Sequence, residues 1–401
     1  MKEKMERIGI SQWIGSVLRV CSEEMRRVCK DEGALMFFIL VPLLYPLLYA
    51  WIYNNEVVRE VPVAVVDCSH SHESRLFLRM FDASPDTRVA YYCNNLEEAR
   101  DLVARQVVKG VLYFPTDYSL QLRRGEQATV GVYCDMSLML TYKAIFQTAQ
   151  TVALRHNGEI QVALSGAMTE RDEELTVHPI QIEEVPIYNA TGGYGNAILP
   201  AVLVLVLQQT LLLGIGLLAG SEHERLRSGK GFATVGAEDG MVSLIVGRAL
   251  CYFLLYVVMA AYVTLCVPRF FHFTVLSTAI PLLALLIPYL LACVFLGMAV
   301  AHFVRYRENV ILLVVFTSVP LLFLSGVSWP KSNFPACWHY VSMLFPSTFG
   351  IRGFLKVNSM GAPLADIRME CVALWAHAVV YFFLAYASFR KLKKQESQLP
   401  E

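Results

Sequence analysis

Apolar runs long enough to cross a bilayer alternate with short charged stretches along most of this chain. A bilayer core takes about 20 apolar residues in a helix, and it requires every backbone N–H and C=O to be bonded within the segment. Six stretches read as spans: about 34–53, 197–219, 249–267, 279–304, 309–326 and 370–389. Ahead of the first, Ile10, Trp13, Ile14, Val17, Leu18, Cys21, Met25 and Val28 recur at three- and four-residue spacing. Arg19, Glu23, Glu24, Arg26 and Arg27 fall opposite them. That period predicts an amphipathic helix lying in the membrane interface.

The pattern changes between residues 54 and 195. "VPVAVVD" (61–67), "RVAYYC" (88–93), "KGVLYFP" (109–115) and "ATVGVYC" (128–134) read as strands. "ESRLFLRMF" (73–81) and "NLEEARDLVARQ" (95–106) read as helices, the second opening on an Asn cap and an acidic first turn. A longer helical run follows over about 136–164, and "TGGYGN" (191–196) reads as a hinge. Alternation of this kind predicts a small α/β layer inserted between spans one and two. The expected fold is therefore an α-helical polytopic membrane protein of six transmembrane helices carrying an inserted extracytoplasmic α/β domain.

The stretch "FLSGVSWPKSNFPACWHYVSMLFPSTFGIR" (323–352) breaks the helical pattern in its own way. A Ser325-Gly326 break is followed by Pro330, Pro335 and Pro346, with Trp329 and Trp338 among them. Each apolar piece is too short to span. A fifth span that stops early, then a pair of small helices dipping back as a re-entrant external hairpin, fits this punctuation. Non-helical backbone at such depth survives only against protein or a cavity, and tryptophans suit the interface.

Composition supports the membrane class: of 401 residues, 55% are hydrophobic and 17% charged, which excludes an ordinary soluble enzyme. Formal net charge is zero, so its distribution carries the information. Lys2, Lys4, Arg7, Arg19, Arg26, Arg27 and Lys30 precede span one. Arg225, Arg227, Lys230 and Arg248 follow span two, Arg305 and Arg307 follow span four, and Arg390, Lys391, Lys393 and Lys394 follow span six. This bias places both termini in the cytoplasm. The resulting division is a cytoplasmic interfacial helix at 1–33, span one at 34–53 and an external domain at 54–195. Spans two to six follow over 196–389, with a cytoplasmic coupling loop at 220–247, an external lid at 326–369 and a cytoplasmic tail at 390–401. Span one lacks a small-x-small cleavage site and reads as an uncleaved anchor.

Candidate chemistry is sparse. No GxxxxGK[ST] loop occurs, so nucleotide hydrolysis by the P-loop route is not expected in this chain, nor any catalytic residue, resident cofactor or nucleic-acid partner. Arg248 reads as a span edge, and without ionisable groups at mid-membrane an ion-coupled carrier is disfavoured. His377 reads as a helix-contact residue. Asp67, Cys68, His70, His72 and Glu73 offer metal-ligand types in one loop, which strand-end loops also collect by chance, so no metal site is expected. The ten cysteines form no CxxC pair, and a pairing among Cys68, Cys93, Cys134 and Cys337 stays open. Gln208-Gln209-Thr210 lies midway along span two, where amides must face protein or a water-lined path.

The order "LLFLSGVSWP…FP…W…VSMLFPSTFGIRGF" (321–354) resembles the C-terminal signature of type-2 permeases of ATP-binding-cassette exporters. Ser325, Gly326, Pro330, Pro335, Pro346, Thr348, Phe349 and Arg352 match in place. In "EHERLRSGKGF" after span two, Glu222, Glu224 and Arg225 match the family's acidic-arginine run, whereas its Gly-Thr is missing. The layout is similar to the subgroup with a large external domain between spans one and two. The resemblance implies a half-transporter in a bacterial cytoplasmic (inner) membrane, with a second permease, identical or paralogous, completing the path. Separate ATPase subunits would carry ATP and Mg. Glu222, Glu224, Arg225, Arg227 and Arg26 would convey nucleotide-driven closure. Ser325, Gly326, Pro330, Pro335, Pro346 and Arg352 would build the lid, and Gln208 and Gln209 could line the path. A drug- or lipid-like cargo in contact with membrane lipid and a periplasmic adaptor would complete that picture. The competing reading is a membrane-anchored sensor or receptor whose external domain binds a ligand or partner without transport.

Overall fold

The computed structural model describes residues 10–55, 57–165, 169, 171–172, 177, 187–189, 193–227, 240–301, 306–329 and 331–396. The chain divides into two compact units, one of Met1–Glu56 with Ile187–Glu401, the other of Val57–Pro186.

Helix α1 (Ile10–Lys30) ends on Arg27 and Lys30, cations that favour a helix C-terminus. Its apolar side is split. Ser16, Val17, Val20, Glu24 and Val28 are buried, while Ile14 and Leu18 stay 46% and 56% exposed, free to meet the bilayer interface. Glu24 thus does not belong to the polar side expected of it, because it continues the Val17-Val20 stripe at helical spacing. Helix α2 (Glu32–Ile52) is the first span, and its start is capped by Asp31, whose Oδ1 accepts the Ala34 N–H at 3.0 Å. One widened π turn, Met36–Leu40, lies just before Pro42. Proline has no N–H and its ring crowds the carbonyl four residues back, so the preceding Val41 N–H reaches Met36 O instead.

The inserted unit holds β1 (Val61–Asp67), α3 (His72–Asp82), β2 (Thr87–Tyr92), α4 (Leu96–Ala104), β3 (Gly110–Phe114), α5 (Tyr118–Arg123), β4 (Gly131–Cys134) and α6 (Met139–Ser165). Helix α5 was not foreseen in the sequence. The strand order is β2-β1-β3-β4. The first three strands are parallel, as strand–helix–strand crossovers require, and β4 runs antiparallel to β3. Asn95 caps α4 by accepting the Glu98 N–H at 2.8 Å. One face of the sheet packs Val63, Val65, Leu112 and Phe114 against Phe77, Phe81, Tyr118 and Ile145; the other packs Ala64, Val66 and Val111 against Ala99 of α4.

The remaining spans are α7 (Tyr194–Arg227), α8 (Met241–Phe270), α9 (Ala279–Ala301), α10 (Arg307–Leu324) and α13 (Arg368–Glu396), with the short α11 (Ala336–Ser342) and α12 (Pro346–Met360) before the last. With α2 they make six helices long and apolar enough to cross a membrane, beside a small mixed sheet. Helix α8 also carries a π turn, Tyr262–Cys266, next to Pro268. Helix α7 is the hub, with 94% of its most apolar stretch buried against 22% in α2 and α10. It packs against α2, α9, α10 and α12. Glycines permit these approaches: a Cβ on Gly214 would stand 2.5 Å from the Phe38 ring, and one on Gly216 2.5 Å from Val310.

Two boundaries differ from expectation. Helix α7 runs unbroken through Ser221–Arg227, so the charged stretch after span two begins as the last turns of that span and not as part of the loop expected at 220–247. Helix α8 begins at Met241, which moves Arg248 from a span edge to its third turn. Residues 228–239, the middle of the expected coupling loop, lie outside the described residues.

Candidate functional site

On the face of the membrane unit that carries α1, helices α1, α7 and α8 converge on a buried ionic node. Arg248 holds Glu222 with both guanidinium nitrogens, Nη1 to Oε2 at 3.0 Å and Nη2 to Oε1 at 2.8 Å. Its Nε stands 3.5 Å from Glu24 Oε2. Arg27 donates to Glu24 at 3.2 Å and to Glu222 at 3.3 Å, and the Tyr252 hydroxyl donates to Glu24 Oε1. Glu24 is 1%, Arg248 4% and Glu222 8% exposed. Two carboxylates against two guanidinium groups leave the node neutral, which is the condition for holding charge away from water. The Arg248 guanidinium also lies over the Phe389 ring of α13 at 5.3 Å.

Close backbone approach makes this possible. A Cβ on Gly247 would sit 2.7 Å from Val20 and 2.9 Å from the Val17 carbonyl, so α1 lies directly on α8 there. A second, more exposed set adjoins. Arg307 pairs with Asp31 at 2.6 Å, and the Ser221 hydroxyl donates to the same carboxylate at 3.3 Å. Between the two sets opens a cleft of about 610 Å³, lined by Arg27, Lys30, Asp31, Glu224, Arg225 and Arg307 among others. Its lining carries both signs of charge.

The residues singled out from the sequence divide accordingly. Glu222 lies in the node, and Glu224 and Arg225 line the cleft. Arg26 is exposed on α1 and is not among the residues that line the cleft. Arg227 closes α7, with its side chain outside the described residues. Glu24, Arg27, Arg248 and Tyr252 were missed. The available signals were the 17-20-24-28 spacing and an arginine within the apolar run that starts at Met241.

At the opposite face, Ser325 ends α10, and Gly326 takes φ +88°, a conformation that favours glycine. Pro335 is the N-cap of α11 and Pro346 the first residue of α12; Pro330 lies outside the described residues. Arg352 Nε reaches the Ser325 carbonyl at 3.5 Å, and its guanidinium lies 5.8 Å from the Phe349 ring centre. From α13, His377 Nε2 donates to Met343 O at 2.9 Å and the Tyr381 hydroxyl to Leu344 O, holding the chain between α11 and α12. Helix α12 itself is packed inside, with Gly350 on the Tyr289 ring and Gly353 on Leu285. Gln208 is fully buried and accepts from Cys293 at 3.6 Å, whereas the amide of the buried Gln209 has no hydrogen-bond partner among the described residues.

Among the described residues, no group of three or more His, Cys, Asp or Glu is arranged to hold a metal, and the cysteines are free thiols. A model of the family described as ABC-2 family transporter protein matches residues 33–387. Nodulation protein J of Rhizobium meliloti (strain 1021) is 31% identical over 90 residues, which make up 22% of this chain and 31% of that relative. The match thus spans less than a third of the relative's length.

Proposed function

Since the chain belongs to the ABC-2 family of transporter membrane proteins, we propose that it is the permease subunit of an ATP-driven exporter, with hydrolysis carried out by a separate subunit. The observation that carries this reading is the buried Glu24–Arg27–Glu222–Arg248 node beside a charged cleft. An ATPase docked in the cleft would push on α1 and on the end of α7 together, and the node would pass the displacement into α8 as one body. In this reading the α1 face and both termini are cytoplasmic and the inserted α/β unit is external, in a bacterial inner membrane. The α11–α12 pair is a re-entrant lid on the outer mouth, and a second permease completes the path. A lipophilic or amphipathic cargo fits spans that carry few charges, with Arg248 neutralised in the node. Gln208 and Gln209 then act at the path wall or between helices, and an adaptor protein docks on the external unit.

The test is to tag the full chain, extract it from native membranes in mild detergent and identify what accompanies it. A P-loop ATPase in near-stoichiometric amount is expected. A preparation that comes out alone, under conditions that keep other transporter complexes whole, would sink the proposal and favour the receptor reading.

A further inference from the structure

The inserted unit contains a crevice that the transport reading does not use. In this sheet the loops after two neighbouring parallel strands leave for opposite faces, and a gap opens between them. Here β1 and β2 are parallel neighbours. The chain leaves β1 for α3, which packs on the face of Val63 and Val65. It leaves β2 for α4, which packs on the face of Ala64 and Val66. A cavity of about 730 Å³ opens where those two loops part, bounded by Asp67 at the end of β1, by the exposed side of α3, and by Tyr92 and Asn94 at the end of β2.

The lining groups differ in what they have left to offer. Asp67 is consumed by its own loop: Oδ1 accepts the N–H groups of Ser69 and His70, both at 3.0 Å, and Oδ2 accepts the Ser74 hydroxyl at 2.7 Å. Asp82 accepts the Val89 N–H at 2.7 Å. Arg75 gives two of its five N–H groups to the carbonyls of Ser71 and His70 at 3.0 and 3.2 Å. Among the described residues, the Arg79 guanidinium has neither a hydrogen bond nor an ion pair, and the rings of His70 and His72, which line the same cavity, have none either. Tyr92 presents a ring 71% exposed at the mouth. Both Asp67 oxygens and one Asp82 oxygen are thus engaged, while the Arg79 guanidinium, two imidazoles and one aromatic face remain.

We propose that this crevice binds a small organic anion, its carboxylate or phosphate held by Arg79 with the two imidazoles and its apolar part laid on Tyr92. Arginine suits the role because its planar donors match both groups. The site depends on the inserted unit alone, so it stands whether or not the chain transports anything.

The test uses the full chain in lipid nanodiscs without an ATPase, titrated with phenyl phosphate and followed by calorimetry. Saturable binding is expected, weakened about tenfold by Arg79→Ala and several-fold by Tyr92→Ala. Arg123→Ala, which alters an exposed arginine outside the crevice, should leave it unchanged, and inorganic phosphate should bind more weakly than the aryl ester. All three positions are exposed, so unfolding profiles should match the parent chain. No saturable binding by a folded parent chain, or equal binding after Arg79→Ala, would overturn the proposal. Equal affinity for inorganic phosphate would overturn its organic part.

Discussion

The two faces of the membrane unit bury polar groups in opposite ways. At the α1 face, every charge of the node has an opposite charge within 3.5 Å. At the other face, around α12, Lys356 pairs with Glu370 Oε1 at 2.6 Å, but other buried polar atoms stand without partners among the described residues: the hydroxyls of Ser347 and Thr348, Arg352 Nη2, Asn358 Oδ1, Glu370 Oε2 and His377 Nδ1. A buried group left unpaired costs free energy that a pair does not. The first arrangement therefore ties α1, α7 and α8 together through paired charges. The second leaves these atoms to be satisfied from outside the described residues.

The largest effect expected from this contrast comes from Arg248→Met. It leaves Glu24 and Glu222 buried with Arg27 as their remaining cation, and stability should fall by roughly 3–5 kcal/mol. Thermal unfolding in detergent reads this directly, and a parent-like midpoint would show that the node does not hold α1, α7 and α8 together. Tyr252→Phe removes one donor to a charged acceptor and should cost about 1.5–3 kcal/mol by the same assay, together with a loss of substrate-stimulated ATPase in the reconstituted complex.

At the other face the changes should appear in transport more than in melting. Gly326→Leu puts a side chain on a left-handed residue, a strain of about 1–2 kcal/mol. Export should fail while assembly with the ATPase persists; wild-type export would remove the lid role. Tyr381→Phe takes away one neutral hydrogen bond to Leu344 O, worth about 0.5–1.5 kcal/mol. Its expected signature is an altered export rate with a smaller drop in the unfolding midpoint than Tyr252→Phe gives. If Tyr381→Phe destabilises the protein as much as Tyr252→Phe does, the contrast between the faces is wrong.

Residue order alone determined a great deal here. Apolar run length specified six membrane helices, because a bilayer admits no unsatisfied backbone. The parallel strands of the inserted unit were legible from short β-branched runs between capped helices, β1 at its full length of Val61–Asp67. Pro335 and Pro346 marked the starts of α11 and α12, since proline is tolerated where a helix has no N–H to give. What only the tertiary structure decided is which charges are inside. Glu24 looks like any solvated residue of an amphipathic helix and Arg248 like any cation at a membrane edge. They become a buried pair because Gly247 lets α1 lie against α8 and because α7 delivers Glu222 from more than twenty residues before. The crevice beyond β1 and β2 has the same origin, for local pattern gives each strand but not the face to which the chain leaves it. Periodicity reports the environment of one helix or strand at a time; a charge is neutralised, or a cavity enclosed, only by residues that several elements bring together.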